Sequence, residues 1–176
     1  KNKRRVSLVR LNMSHVKLES LRKKILKIQK FTRIPICIDT EGAQIRTKTK
    51  FKSRKFKLNQ QIVINKRGGN FNVYPEEVFN KLKKGDILDI GFENLKLKVI
   101  FKTKIKILLK CLTNGVLENN KGVHLSNRKI SLPFLTFKDY EAIKISKNLK
   151  VKNFALSFTN TEKDLERFSK ILPKEK

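Results

Sequence analysis

Residues Ile36–Thr47, ICIDTEGAQIRT, join a short apolar run rich in β-branched side chains to an acid, a hydroxyl, a glycine and then an arginine. Such a run predicts a buried strand that delivers polar groups at its C-terminal end, the place where α/β folds put their ligand sites. A second stretch, Val6–His15 (VSLVRLNMSH), has the same shape. Between them, His15–Phe31 brings Val16, Leu18, Leu21, Ile25, Leu26 and Ile28 roughly to one face of a helix. Ser14 is its expected N-cap, and Pro35 punctuates the return. Strand, helix and strand of this length make a βαβ unit with parallel strands. Asn12 and Ser14 are therefore expected beside Asp39 and Thr40.

From Lys48 the texture changes. Short alternating segments follow (FKSRKFKL, QQIVIN, GDILDI, LKLKVIF, KIKILLKCL and VHL), separated by turn signals such as Lys66–Asn70 (KRGGN) and Thr113–Gly115 (TNG). This spacing predicts a small antiparallel barrel or sandwich. Glu76 and Glu77 follow Pro75 as the first turn of a short helix whose Lys81, Lys83 and Lys84 end is solvated. After Ile130 the α/β texture resumes. Lys138–Ser146 predicts a helix, Val151–Phe158 a buried strand, and Thr161–Leu172 a helix begun by a Thr-Glu-Lys-Asp cap. The expected organisation is an α/β domain over 1–47 and 131–176, interrupted by a β-rich insertion over 48–130.

A chain of 176 residues can bury one full core or two small ones without disulfides. Cys37 and Cys111 lie in apolar runs with no CxxC spacing, which predicts buried reduced thiols and a cytoplasmic location. No window reaches the roughly 18 apolar residues of a membrane span. The net charge of +28, from 43 Lys and Arg against 15 Asp and Glu, attracts polyanions whatever the fold. The basic residues run along the whole sequence in company with Asn and Ile, and no RNA-binding or zinc-finger motif accompanies them. A compositional bias explains that distribution more simply than a dedicated nucleic-acid site, with non-specific, salt-sensitive polyanion binding still expected.

The oxygens of Asn12, Ser14, Asp39 and Thr40 suit a hard cation such as K⁺ or Mg²⁺ better than a soft metal. Arg10 and Arg46 flank them and can hold phosphate or carboxylate through bidentate hydrogen bonds. The plainer alternative has Asp39 and Arg46 pairing or capping helices while Asn12 and Ser14 only open a helix. On residue chemistry alone the plainer alternative weighs at least equally, since strand ends commonly carry such residues.

Several segments carry a resemblance. Arg10–His15, RLNMSH, is similar to the ARLNFSHG segment of pyruvate kinases, and Asp39–Thr47, DTEGAQIRT, to their DTKGPEIRT. In the same order, Asn119–Leu125 (NNKGVHL) resembles KKGVNLPG, Leu132–Asp139 (LPFLTFKD) resembles LPALSEKD, and Phe154–Phe158 (FALSF) resembles FIALSF. Five ordered matches are far more specific than any one. The resemblance implies a TIM-barrel (β/α) segment, barrel strands two to four, with the inserted region as the lid or B domain. It implies that Arg10 contacts the phosphate of phosphoenolpyruvate, and that Asn12, Ser14, Asp39 and Thr40 ligate K⁺. Asn12, Met13, Ser14, His15, Arg46 and Lys121 would contact the nucleotide. The implied glycolytic reaction is phosphoryl transfer from phosphoenolpyruvate to ADP, giving pyruvate and ATP. Its demands are positioning and charge neutralisation.

The sequence also departs from the family pattern. Val16 stands where the family has Gly, Ala43 and Gln44 replace Pro and Glu, and Gly91, Phe92 and Glu93 align with the lid motif DDG, removing its aspartate. These residues include no KIEN segment, with its catalytic Lys and Mg²⁺-binding Glu, no GDLG segment with the second Mg²⁺ acid, and no Thr-bearing segment. The TIGP-bearing first strand is likewise missing. The resemblance thus implies an incomplete chain that keeps the K⁺ and phosphate cradle and is inactive in isolation. Its parallel strands would then be completed by the remainder of the barrel or by another protein chain. Two alternatives stand beside this: a non-catalytic homologue that binds a ligand or partner, and a basic nucleic-acid or ribonucleoprotein-associated protein. His124, placed on an inserted strand, is not expected to be catalytic.

Overall fold

The computed structural model describes residues 6–69, 71–91 and 95–172. In chain order the elements begin with β1 (Val9–Asn12), α1 (Leu18–Phe31), β2 (Ile36–Asp39), β3 (Ile45–Thr49), β4 (Ser53–Phe56), β5 (Gln61–Asn65), β6 (Phe71–Tyr74) and α2 (Glu77–Lys81). They continue with β7 (Ile87–Ile90), β8 (Leu95–Lys102), β9 (Lys106–Cys111), β10 (Gly115–Glu118), β11 (Gly122–Leu125), α3 (Phe137–Asn148), β12 (Asn153–Ala155) and α4 (Glu162–Ile171). The chain divides into two compact units, residues up to Ala43 with those from Leu132, and Gln44–Ser131.

The first unit is α/β. Its sheet runs β1-β2-β12, all parallel, with Asn12 beside Asp39 and Asp39 beside Ala155. Parallel strands need crossover helices, and α1 supplies the first. Leu18, Leu21, Ile25 and Ile28 recur at helical spacing and pack with Ile36, Ile38 and Val151 in one core cluster. Helix α3 buries Asp139, Ala142, Ile143 and Ser146 on the same kind of stripe. Both α3 and α4 start in capping boxes, Thr136 with Asp139 and Thr161 with Asp164, each satisfying backbone donors the first turn leaves open. The Thr161 cap is the one expected from the sequence.

The second unit closes a β-barrel in the order β11-β3-β6-β5-β9-β8-β7, with β4 and β10 paired as a separate ribbon. Buried side chains alternate along its strands, as in Leu95, Leu97 and Val99 on β8 and Ile107, Leu109 and Cys111 on β9. Burying each such aliphatic side chain stabilises the fold by roughly 1.5–3 kcal/mol. Arg128 clasps the buried Asp86 through Nε to Oδ1 and Nη2 to Oδ2, both 2.7 Å, and also donates to the Lys81 carbonyl. The hydrogen bond to Asp86 raises the Arg128 pKa further.

Several expectations need correction. The barrel is not wholly antiparallel, because β5 and β6 pair in parallel at Ile64 and Phe71. Geometry requires this: each antiparallel contact reverses strand direction, so a ring of seven cannot close on antiparallel contacts alone. Gln44–Thr47 belong to the second unit and not to a first segment ending at Thr47, since Ile45–Thr49 is a barrel strand paired with β6 and β11. Helix α1 begins at Leu18 with Lys17 at its N-cap position, so Ser14 does not cap it. The Asn12 side chain captures the Ser14 N–H at 2.8 Å instead, and a turn occupies 13–15. The buried strand expected over Val151–Phe158 is reduced to Asn153–Ala155. Asn70 of the KRGGN turn, and Phe92 and Glu93 of the lid-motif comparison, lie outside the described residues.

Candidate functional site

The carboxyl ends of β1, β2 and β12 meet at Asn12, Asp39 and Ala155. Asp39 is almost fully buried, a costly position for a carboxylate unless its oxygens are satisfied. They are: Arg10 Nε donates to Oδ2 at 2.9 Å, Arg10 Nη2 donates to the same oxygen, and the Ser157 hydroxyl donates to Oδ1 at 2.6 Å. The Arg10 side chain is nevertheless 59% exposed. A guanidinium tethered through two nitrogens to one carboxylate oxygen, with its outer edge in water, is oriented to take a second anion.

Thr40 is buried beside Asp39. Its backbone N–H donates to the Ala155 carbonyl at 3.0 Å, and its hydroxyl accepts from the Ser157 N–H at 3.0 Å. The next residues turn sharply under the control of Asp139, which is fully buried at the start of α3. Its Oδ1 accepts from the Glu41 N–H at 2.7 Å and its Oδ2 from the Gly42 N–H at 3.2 Å, while Oδ2 also closes the α3 capping box. Gly42 sits at φ +64°, and a Cβ there would stand 1.8 Å from the Ser157 carbonyl oxygen. Only glycine fits that approach. Lys138 donates to Glu41 Oε1 at 2.7 Å and to the Met13 carbonyl, tying the turn after β1 to the turn after β2.

Of the expected site residues, Arg10, Asn12, Ser14, His15, Asp39 and Thr40 lie on β1, β2 or the turns that follow them. Met13 follows β1 too, but its side chain is fully buried in the α/β core, so only its backbone faces the turn. Its N–H donates to the Asp39 carbonyl at 2.8 Å. Arg46 and Lys121 belong to the second unit, where β3 and β11 bring them side by side. Arg46 is registered with Gly122 and donates through Nη1 to the Asn120 carbonyl at 3.2 Å. Lys121 pairs with Glu118 at 3.0 Å. His124 lies on β11, 3.9 Å from Asp89.

Residue reasoning left Glu41, Thr136, Lys138, Asp139 and Ser157 without roles. The signal for Asp139 was present, since Thr136-Phe-Lys-Asp139 is a capping-box pattern. Nothing local marks Ser157, whose partner lies 118 residues away.

An all-oxygen set of carboxylate, amide carbonyl and two hydroxyls fits a hard cation, and the donor chemistry of Asn12, Ser14, Asp39 and Thr40 is of that kind. Cys37 is buried next to this set, free, and its thiol pKa is raised by burial and then by Asp39, so it is no thiolate ligand.

The family model described as the pyruvate kinase barrel domain matches residues 2–176. Pyruvate kinases of Staphylococcus aureus strains USA300 and NCTC 8325 / PS 47 are each 32% identical over 185 residues, covering 97% of this chain and 32% of the relative. The chain thus spans about a third of the length of these curated relatives. The crystal structure of Cryptosporidium parvum pyruvate kinase matches with a TM-score of 0.79 at 23% identity, covering 94% of this chain and 37% of that one, which establishes the shared fold. On the family match and the curated relatives, this chain belongs to the pyruvate kinase family.

Proposed function

We propose that this chain provides the phosphate and K⁺ cradle of a phosphotransferase that moves a phosphoryl group from phosphoenolpyruvate to ADP. The observation that carries the reading is Arg10, held by the buried Asp39 yet 59% exposed at the strand ends. Arg10 takes the phosphate of phosphoenolpyruvate. Asn12, Ser14, Asp39 and Thr40 hold K⁺, which supplies positive charge beside the crowded anion. Asn12, Ser14, His15, the backbone of Met13, Arg46 and Lys121 address the nucleotide. The three parallel strands belong to a (β/α) barrel of TIM type, with Gln44–Ser131 as its inserted lid domain. β1 and β12 each have one strand neighbour among the described residues. Further strands, from the rest of the protein or another chain, are expected to cover those edges.

The catalytic Lys and Mg²⁺-binding acids of the family pattern are not among these 176 residues. In this reading the 176 residues bind without turning over, and the protein works in the cytoplasm. Thermal-shift titration of the 176-residue chain tests it. Phosphoenolpyruvate should raise Tm, more strongly in K⁺ than in Na⁺, and Arg10→Ala should remove the response. A folded chain indifferent to millimolar phosphoenolpyruvate in K⁺ would overturn the reading.

A further inference from the structure

Lys98 and Lys110 stand directly opposite each other on β8 and β9. Like charges so placed destabilise a sheet. Their neighbours across the ladder are Ile87 and Gln61, so no acid relieves them within the row. A β-bulge between Val99 and Phe101 then shifts the register. It leaves Phe101 on the outer face, 54% exposed and opposite Leu108, whose other neighbour is Val63. Beyond that apolar stripe, Lys106 faces Asn65.

The adjoining hairpin tip adds further cations. The Lys66 N–H donates to the Ile105 carbonyl at 2.9 Å, which sets the exposed Lys66 and Arg67 beside the β8–β9 turn with its exposed Lys104. Lys66 and Lys102 place their ammonium groups 5.9 and 5.8 Å from the centre of the Phe79 ring. A cavity of about 480 Å³ lies there, lined by Phe79, Asn80, Lys102, Thr103 and Lys104.

Charge is segregated around the ring in a way the linear sequence hides. No Asp or Glu occurs from Gln44 to Pro75 or from Leu95 to Leu117, and these spans supply β3, β6, β5, β9 and β8, five consecutive staves of the barrel. Acids of the unit that form ion pairs lie off these staves, Glu77 on α2, Asp86 before β7, Asp89 on β7 and Glu118 on β10, and of these Asp89 reaches across to Lys96 of β8.

We propose that this outer face of the barrel binds single-stranded nucleic acid, with the lysines on its phosphates and Phe101 stacked on a base. Ammonium groups in successive rows around an exposed ring are the arrangement that tracks a flexible polyanion. Phe101 and the exposed Ile105 of the adjoining turn, beside two half-buried aliphatics and ringed by lysines, are too narrow for the apolar face of a membrane-bound or groove-bound helix. A closed barrel also offers no strand edge for an added peptide strand.

Fluorescence anisotropy of the 176-residue chain with labelled oligouridylate of about 20 nucleotides tests this between about 50 and 200 mM salt. The doubly substituted Lys98→Gln/Lys110→Gln chain should bind about tenfold more weakly and lower the slope of log K against log salt by about 1.4. Phe101→Ala should weaken binding about tenfold at every salt concentration and leave the slope unchanged. Lys23→Gln/Lys24→Gln, an equal loss of exposed charge on α1, should change affinity less than about twofold. Equal losses in both lysine pairs would reduce the effect to general charge and overturn the proposal. So would tighter binding to polyglutamate or phosphatidylserine vesicles than to oligouridylate. Relief of the Lys98–Lys110 repulsion means the double variant should keep its urea midpoint, separating lost binding from lost fold.

Discussion

The two units each bury an aspartate against an arginine, and they use the pair differently. In the barrel, Asp86 and Arg128 meet fork to fork, and Arg128 also bonds the Lys81 carbonyl, so the guanidinium is largely committed to protein partners. In the α/β unit, Arg10 gives Nε and Nη2 to one oxygen of Asp39 and keeps its outer edge in solvent, while Ser157 takes the other oxygen. The same chemistry serves as a clasp in one place and, in the proposed reading, as an anion site in the other. What separates them is exposure, 31% for the Arg128 side chain against 59% for Arg10, and the number of acceptors already engaged.

The largest way to disturb the α/β side is Gly42→Ala, because the new Cβ meets backbone and not a movable side chain. It is expected to cost about 4 kcal/mol or more in urea unfolding, with loss of the phosphoenolpyruvate-induced shift. Asp139→Ala should follow at about 3 kcal/mol, since it strands the Glu41 and Gly42 N–H groups and opens the α3 capping box. Arg128→Ala should cost about 2–3 kcal/mol by leaving Asp86 buried without its guanidinium partner, held by the Lys83 N–H. Arg10→Ala should cost less, about 1–2 kcal/mol, because water entering where the exposed guanidinium stood can solvate the Asp39 oxygen it leaves, while removing the ligand response. An Arg10→Ala chain as unstable as Arg128→Ala, with its ligand response intact, would erase the distinction between site and clasp.

The smallest effect concerns the two thiols. Burial raises the pKa of both Cys37 and Cys111 above the ordinary thiol value. The protonated thiols therefore contribute stability that is fully present below about pH 8.5 and is lost as pH rises through the raised folded-state values. The urea midpoint should fall as pH rises above about 8.5, and less so in a Cys37→Ala/Cys111→Ala chain compared at the same pH values.

Much of the α/β unit was legible in ICIDTEGAQIRT and RLNMSH, because a strand that ends in polar residues and a helix with one apolar stripe are local patterns. β6 (FNVY) and β10 (GVLE) were missed as strands, being only four residues long; β6 does alternate, burying Phe71 and Val73, but one such repeat is too short to announce a strand. β3 was missed for another reason: IRTKT reads as the polar sequel to β2, and only its pairing with β6 and β11 makes it a barrel stave.

By itself the sequence determined the kind of chemistry at the strand ends, since residue types and their order decide which atoms are hard donors and which are fixed cations. It also determined the helix start at Thr161, whose signal lies within four residues, while the matching signal at Thr136 went unread and that helix was expected from Lys138. The tertiary structure alone decided that Asp39 is shared by Arg10 and Ser157, that Asp139 holds the Glu41–Gly42 turn from 97 residues away, and that Met13 spends its side chain on the core. It likewise gathered lysines strewn along the chain onto acid-free staves of a closed ring. Contacts of that range depend on which elements pack together, and no local pattern encodes them.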